Sequence, residues 1–209
     1  MEYSFHLYNK LASDGVAMAL DKLLYVDFCR KKQKTKGAGM DLTEFPSSPP
    51  VIVCIGSDLA IGDSLGPITG SMLKYKTQGL NAFLYGTLSA PVTAKEIKYL
   101  RTFLKETHKN SQIVAIDAAV GDKGDIGLIK CSDLPLAPGS GAGKKLGTVG
   151  DISIMGVVAE KSLANYGLLN TTRLNLVYTM AEILSSALAS VLWEKYAFDR
   201  NRKITEQIG

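Results

Sequence analysis

The chain has 209 residues, with 24 Lys and Arg against 20 Asp and Glu, for a formal net charge of +4. That length suits one compact domain with a short appended arm. An apolar fraction of 46% with 21% charged residues excludes a wholly disordered or collagenous chain.

In chain order, Met1–Lys10 contains Glu2, His6 and Lys10 and has no continuous apolar core, so no secretory signal is expected. Ser13–Arg30 carries a helical stripe of Val16, Leu20, Leu23, Leu24 and Phe28, with Ser13 or Asp14 as its N-cap. The basic run Arg30–Lys36 reads as a solvated helix end, and Gly37–Pro50 as a loop. Residues 1–48 are thus expected to form a helix-containing arm and linker packed on an α/β domain over 49–209. Val51–Ile55 is a β-branched run suited to a strand covered on both faces. Leu65–Gln78 reads as helix and Ala82–Leu88 as strand. Thr93–Thr107 opens with a capping box, Thr93 to Glu96, and aligns Ile97, Leu100 and Leu104 on one face. Gln112–Ile116 and Ile126–Lys130 read as strands, Cys131–Gly150 as mostly irregular, and Asp151–Val158 as the last strand. A long helix starts at Asn170 or Thr171, with Leu174, Val177, Ala181, Leu184, Leu188 and Val191 or Leu192 along its core stripe.

Strands alternating with helices predict an α/β fold, a three-layer α/β/α sandwich with a mostly parallel sheet. In such folds ligands sit beyond the carboxyl ends of the strands. The apolar runs, such as Val51–Ile55, are of strand length rather than the ~18 residues of a membrane span. The small charge excess does not imply a nucleic-acid partner. The chain is therefore expected to be cytoplasmic, binding neither nucleic acid nor membrane. The apolar stripe of the last helix serves equally for covering the sheet or for forming a homo-oligomer.

Two aspartates fall where the carboxyl-end rule points. Asp117 ends the strand Gln112–Ile116, where a carboxylate must be desolvated or paired. Asp63 lies in the turn after Val51–Ile55, where an N-cap role would also suffice. Two carboxylates converging there cannot both ionise cheaply, so one pKa rises and the other falls. They could hold a water between a general base and a general acid, or give two oxygen ligands to a divalent metal. No other cofactor is expected. Asp58, Asp122 and Asp151 are secondary candidates that turn or cap roles also explain.

The stretch Pro138–Lys145 is not a P-loop: Pro138 stands where the first glycine is needed, and Lys145 where Ser or Thr would bind magnesium. It reads as a loop whose amides are available to a peptide or an oxyanion. His6 and His108 are both expected to be exposed, which weakens any histidine-based triad. Cys29, Cys54 and Cys131 suit neither a zinc site nor a disulfide framework, and Cys54 reads as a small buried hydrophobe.

Three motifs, Gly62-Asp63-Ser64-Leu65-Gly66-Pro67, Ile113-Val114-Ala115-Ile116-Asp117-Ala118 and Pro138-Gly139-Ser140-Gly141-Ala142-Gly143, followed by Gly150–Ile154, carry a likeness. Over most of Pro49–Leu192 the chain resembles the sporulation protein YyaC family (DUF1256). Through it the chain resembles the spore germination protease and, more distantly, the hydrogenase maturation proteases. The resemblance implies a phosphorylase/hydrolase-like α/β fold in the cytoplasm of a spore-forming bacterium, in its forespore or mother cell. It also implies a protein or peptide substrate. In the germination protease the aspartates matching Asp63 and Asp117 are implicated in peptide cleavage. In the hydrogenase maturation group the matching acidic positions bind the substrate's nickel with the help of a histidine, which has no counterpart in this sequence.

The expectation is therefore a peptidase or peptidase-like hydrolase. Asp63 and Asp117 would activate water, or bind a metal if the reaction is metal-dependent. Gly62, Gly66, Gly139, Ser140, Gly141 and Gly143 would line the substrate site. The alternative is a non-catalytic sporulation protein that binds a peptide or partner with the same pair.

Overall fold

The computed structural model describes residues 1–35, 49–80, 82–139, 146–161 and 172–197. Six strands form one sheet: β1 (Glu2–His6), β2 (Val51–Cys54), β3 (Phe83–Tyr85), β4 (Ile113–Gly121), β5 (Leu128–Ser132) and β6 (Ile152–Glu160). Four α-helices accompany them: α1 (Ala12–Thr35), α2 (Leu65–Lys76), α3 (Ile97–Thr107) and α4 (Leu174–Tyr196). The strand order is β1-β5-β6-β4-β2-β3. Neighbours among β3, β2, β4 and β6 run parallel, and only β5 is reversed, antiparallel to both β6 and β1. The fold is α/β with a mostly parallel sheet.

Alternation along the central strands explains where the two cores lie. Ile52, Cys54, Val114, Ile116, Ile152 and Ile154 face one way and pack with Leu20, Leu23 and Leu24 of α1, Leu73 of α2, and Val177, Met180 and Leu184 of α4. Val51, Val53, Ile55 and Ala115 face the other way and pack with Ile97 and Leu104 of α3 and with Leu136 and Val149. Strands buried on both faces need the continuous apolar runs seen in β2 and β4.

Several local expectations are corrected. Glu2–His6 is an edge strand paired with β5, Tyr3 opposite Cys131, in a segment read only for its lack of a signal. Ser13 and Asp14 lie inside α1, and Asn9 Oδ1 instead accepts from the Leu11 N–H at 3.0 Å just ahead of it. In the basic run, Arg30 pairs with Asp133 at 2.8 Å and Lys31 with Asp151 at 2.6 Å, so these two positions tie α1 to the sheet's lower rim. The α4 stripe is buried as expected except at Leu174, which is exposed. Contrary to the reading that apolar stretches are only strand-length, α4 is long and apolar enough to cross a membrane. It carries the charged residues Glu182, Glu194 and Lys195 besides uncharged Asn, Thr and Ser, and 56% of its apolar window is buried within the fold. The proposed loop over residues 37–48 and the start of the last helix at Asn170 or Thr171 lie outside the described residues.

Candidate functional site

The site begins where β2 stops. Its ladder with β4 closes at Cys54 opposite Ile116, and one more bond, Ile55 N to Ile116 O at 2.7 Å, ends the pairing. The chain leaves through Gly56 at φ +142°, where an added Cβ would lie 2.1 Å from the Asp63 carbonyl oxygen. A side chain there is excluded both by backbone conformation and by space. The segment then folds back on itself. Ser57 N donates to Asp63 O at 3.1 Å, and Asp63 N to Ala60 O at 3.0 Å. Ser64 Oγ donates to Ile61 O at 2.6 Å. The result is a 3-10 turn, Ile61–Ser64, that carries Asp63 over the end of β2 and leads directly into α2. Ser64 occupies the N-cap position of α2, without a side-chain cap bond, so Asp63 is not the cap that its sequence position allows.

Asp117 does not terminate its strand, as the apolar run had suggested. Residues 117–121 of β4 continue along β6, Asp117 opposite Met155, after β2 has ended. Asp117 is thus the first β4 residue to stand clear of β2, which places it at the carboxyl rim while its backbone remains in the ladder. Its side chain points to the α3 face, as Ala115 does two residues earlier. It is only 9% exposed. The Ala118 N–H donates to its Oδ1 at 2.8 Å, and the Gly139 amide also donates to the carboxyl.

Burial pushes the Asp117 carboxyl up to about 8, and the negative charge of Asp63 pushes the same way, against the two amides that favour ionisation. Loss of hydration therefore outweighs hydrogen bonding, and at neutral pH Asp117 keeps its proton. Replacing Asp63 with Asn removes the second cause and leaves the first. The Asp117 carboxyl is then expected to titrate lower than in the natural chain, yet still above 3.8. Carboxyl-carbon NMR titration of both proteins measures this; an unchanged titration would show that the two side chains do not interact.

The remaining candidates fall in different places. Gly62 is buried in the 3-10 turn. Gly66 is buried against β2, where an added Cβ would come within 2.0 Å of the Ile55 carbonyl oxygen, so it permits close packing of α2. Gly139, at φ +69°, turns its amide towards Asp117. Ser140, Gly141 and Gly143 lie outside the described residues. Asp58 and Asp122 are exposed on the same rim. Asp151 sits at the opposite, amino end of the sheet, accepting from Ile113 N and Lys31, and has no part in the site.

Sequence reasoning missed the Ala118 amide, and it offered the Gly139 amide to a peptide or an oxyanion rather than to the Asp117 carboxyl. The one signal for the Gly139 contact was a Pro-Gly pair in which a positive-φ glycine could re-aim the backbone.

His108, expected to be exposed, is buried among Phe83, Tyr85 and Phe103, with Nε2 2.8 Å from the Tyr85 hydroxyl. The flanking aromatic residues of β3 and α3 close over the ring. Cys54 and Cys131 are buried thiols pushed up by desolvation, Cys131 to about 12, so neither supplies a thiolate nucleophile at neutral pH. Among the described residues no three His, Cys, Asp or Glu side chains gather into a metal cage.

A family model described as "Protein of unknown function (DUF1256)" matches residues 35–187, a span containing both aspartates. The chain is also 39% identical over 166 residues to "Uncharacterized protein YyaC" of Bacillus subtilis (strain 168). That match covers 79% of this chain and 80% of the relative.

Proposed function

The chain belongs to the DUF1256 family, and we propose that it is a peptidase or peptidase-like hydrolase in which Asp63 and Asp117 activate water. One observation carries this reading: a buried carboxyl pushed up to about 8, by burial and then by the charge of Asp63, at the rim where α/β sheets bind ligands. Such a pair divides the work of hydrolysis. Asp63 as carboxylate takes a proton from water as the oxygen attacks the peptide carbonyl carbon. Asp117 gives its proton to the carbonyl oxygen. The tetrahedral diol then collapses, a proton passes to the leaving amine nitrogen, and the two carboxyls return to one proton between them.

The likeness of the three motifs to the spore germination protease supports this assignment, together with a phosphorylase/hydrolase-like, three-layer reading of the fold. It also supports a cytoplasmic role in a spore-forming cell on a protein or peptide substrate, without a cofactor.

The test is incubation of the purified protein with a spore-protein extract and with an unfolded model protein, followed by mass spectrometry for new fragments. Fragments are expected below pH 8, with the rate falling as pH rises through about 8 and Asp117 loses its proton. They should persist with a chelator. Activity abolished by the chelator would move the same pair to metal-dependent hydrolysis. Stable complexes without fragments would make the protein a binding module instead.

A further inference from the structure

A cavity of about 430 Å³ lies at the carboxyl end of β6, bordered by that strand, the turn after β1 and the start of α4. Its floor is apolar, built by Leu7, Ile126, Val158, Ala159 and Leu176. An irregularity in the sheet shapes this floor. Ala119 stands opposite Val157, but Val120 stands opposite Ala159, so Val158 is an extra residue on β6. A bulge of this kind breaks the alternation of a strand and re-aims its side chains. Val158 and Ala159, neighbours in the chain, accordingly both join the core on the α1 and α4 face. Asp117 points to the α3 face, as Ala115 does, so the cavity is separate from the two carboxyls.

The rim carries two opposite charges. Glu160 and Arg173 both border the cavity, and both are exposed. Among the described residues neither forms an ion pair with the other or with any further side chain. Opposite charges that border one cavity without meeting leave room for a group of each sign between them. Asn175 adds an amide to the same rim.

We propose that this cavity binds a small zwitterion with an apolar side chain, an α-amino acid of the leucine or phenylalanine kind, free or as a dipeptide. The volume falls within the roughly 300–1,000 Å³ of small-molecule sites. The planar guanidinium of Arg173 offers paired N–H donors to the ligand carboxylate. The carboxylate of Glu160 accepts from the ligand ammonium. The side chain rests on the Leu7–Val158–Leu176 floor, where its removal from water supplies affinity. An acidic side chain would instead set a charge on apolar surface. No bond is made or broken, so the proposal is independent of the hydrolytic reading.

The experiment is a methyl NMR titration of the full chain with leucine, phenylalanine, dileucine and glutamate. Two leucine analogues complete the series: isocaproate, which lacks the ammonium, and isoamylamine, which lacks the carboxylate. Leucine and phenylalanine, or dileucine, are expected to saturate shifts at the methyls of Val158 and Leu176, and whichever source binds more tightly is the natural form of the ligand. Each single-charge analogue should bind about tenfold more weakly, the loss of one charged contact, and glutamate should not bind. Arg173→Gln should erase the difference between leucine and isoamylamine, and Glu160→Gln that between leucine and isocaproate; both positions are exposed, so the fold is retained. Absence of saturable shifts with all three apolar ligands at millimolar concentration would overturn the proposal. So would shifts that avoid Val158 and Leu176, equal affinity for leucine and its analogues, or differences that persist in the variants.

Discussion

Replacing Asp117 with Asn is expected to abolish peptide hydrolysis and yet leave the fold more stable than the natural chain at alkaline pH. The catalytic half follows from the proton. Asn keeps the shape of the carboxyl and can still accept from Ala118 N, but it has no acidic hydrogen to give the carbonyl oxygen. Loss of a positioned general acid costs roughly 10²–10⁴-fold in rate. The stability half follows from linkage. Asp117 ionises near 3.8 in the unfolded chain and near 8 in the folded one. Between those values the unfolded state releases a proton that the native state retains, so raising the pH favours unfolding. The contribution is fully present below pH 4, drains away across the interval, and is gone above pH 8. At about 1.4 kcal/mol per pH unit of difference, the loss is on the order of several kcal/mol. Asn does not titrate. The two proteins should therefore melt at similar temperatures near pH 4, with the variant melting higher at pH 9. Calorimetry at both values checks this, and cleavage assays check the rate. An Asn variant that still cleaves would remove the mechanism; a gap that does not widen with pH would show that Asp117 is ionised at neutrality.

Substituting Ala for Gly66 is expected to be as damaging as any single methyl can be. The added carbon would sit 2.0 Å from the Ile55 carbonyl oxygen and 2.8 Å from its carbonyl carbon and nitrogen. These are backbone atoms at the end of a central strand and cannot turn aside as a side-chain tip would. Either α2 lifts from the end of β2 or the strand bends, and both displace the turn that carries Asp63. A destabilisation of about 3 kcal/mol or more is expected, at the upper end of overpacking costs, with activity lost even in the fraction that folds. Gly124 provides the control: nothing lies within 4 Å of its added Cβ. Gly124→Ala should shift the urea midpoint by little. Equal midpoints for the two variants would show that α2 does not approach β2 so closely.

The architecture was legible because its strongest signals are repetitive. The β-branched runs at Val51–Ile55 and Ile113–Ile116, and the 3.6-residue spacing through α1, α3 and α4, report burial many times over. What stayed hidden depends on single contacts. β1 is a five-residue edge strand whose pairing with β5 no local pattern records. The apolar run of β4 stops at Ile116, so a carboxylate next in line looks like a terminus; the strand continues only because β6 extends beside it. Asp63 had the composition of a helix cap, and only the hydrogen bonds of residues 57–64 reveal a separate turn. His108 follows a Lys-containing helix end and reads as exposed until Phe83, Tyr85 and Phe103 converge on it from two elements. Of the site, the two aspartates were nameable from position and resemblance, whereas the amides of Ala118 and Gly139 that oppose the burial of Asp117 are products of tertiary folding.

The two carboxyls are mounted very differently. One rides on the β4–β6 ladder, which keeps its register from Val114 through Ala119; the other hangs on a single turn secured by a handful of local bonds. In evolutionary terms that makes the pair a fixed jaw and an adjustable one. Drift within residues 57–61, ahead of the motif Gly62–Pro67, can reset the gap between the acids without disturbing the sheet, while drift around Asp117 is constrained by the whole framework. Diversification among related chains should therefore concentrate in that first half of the turn.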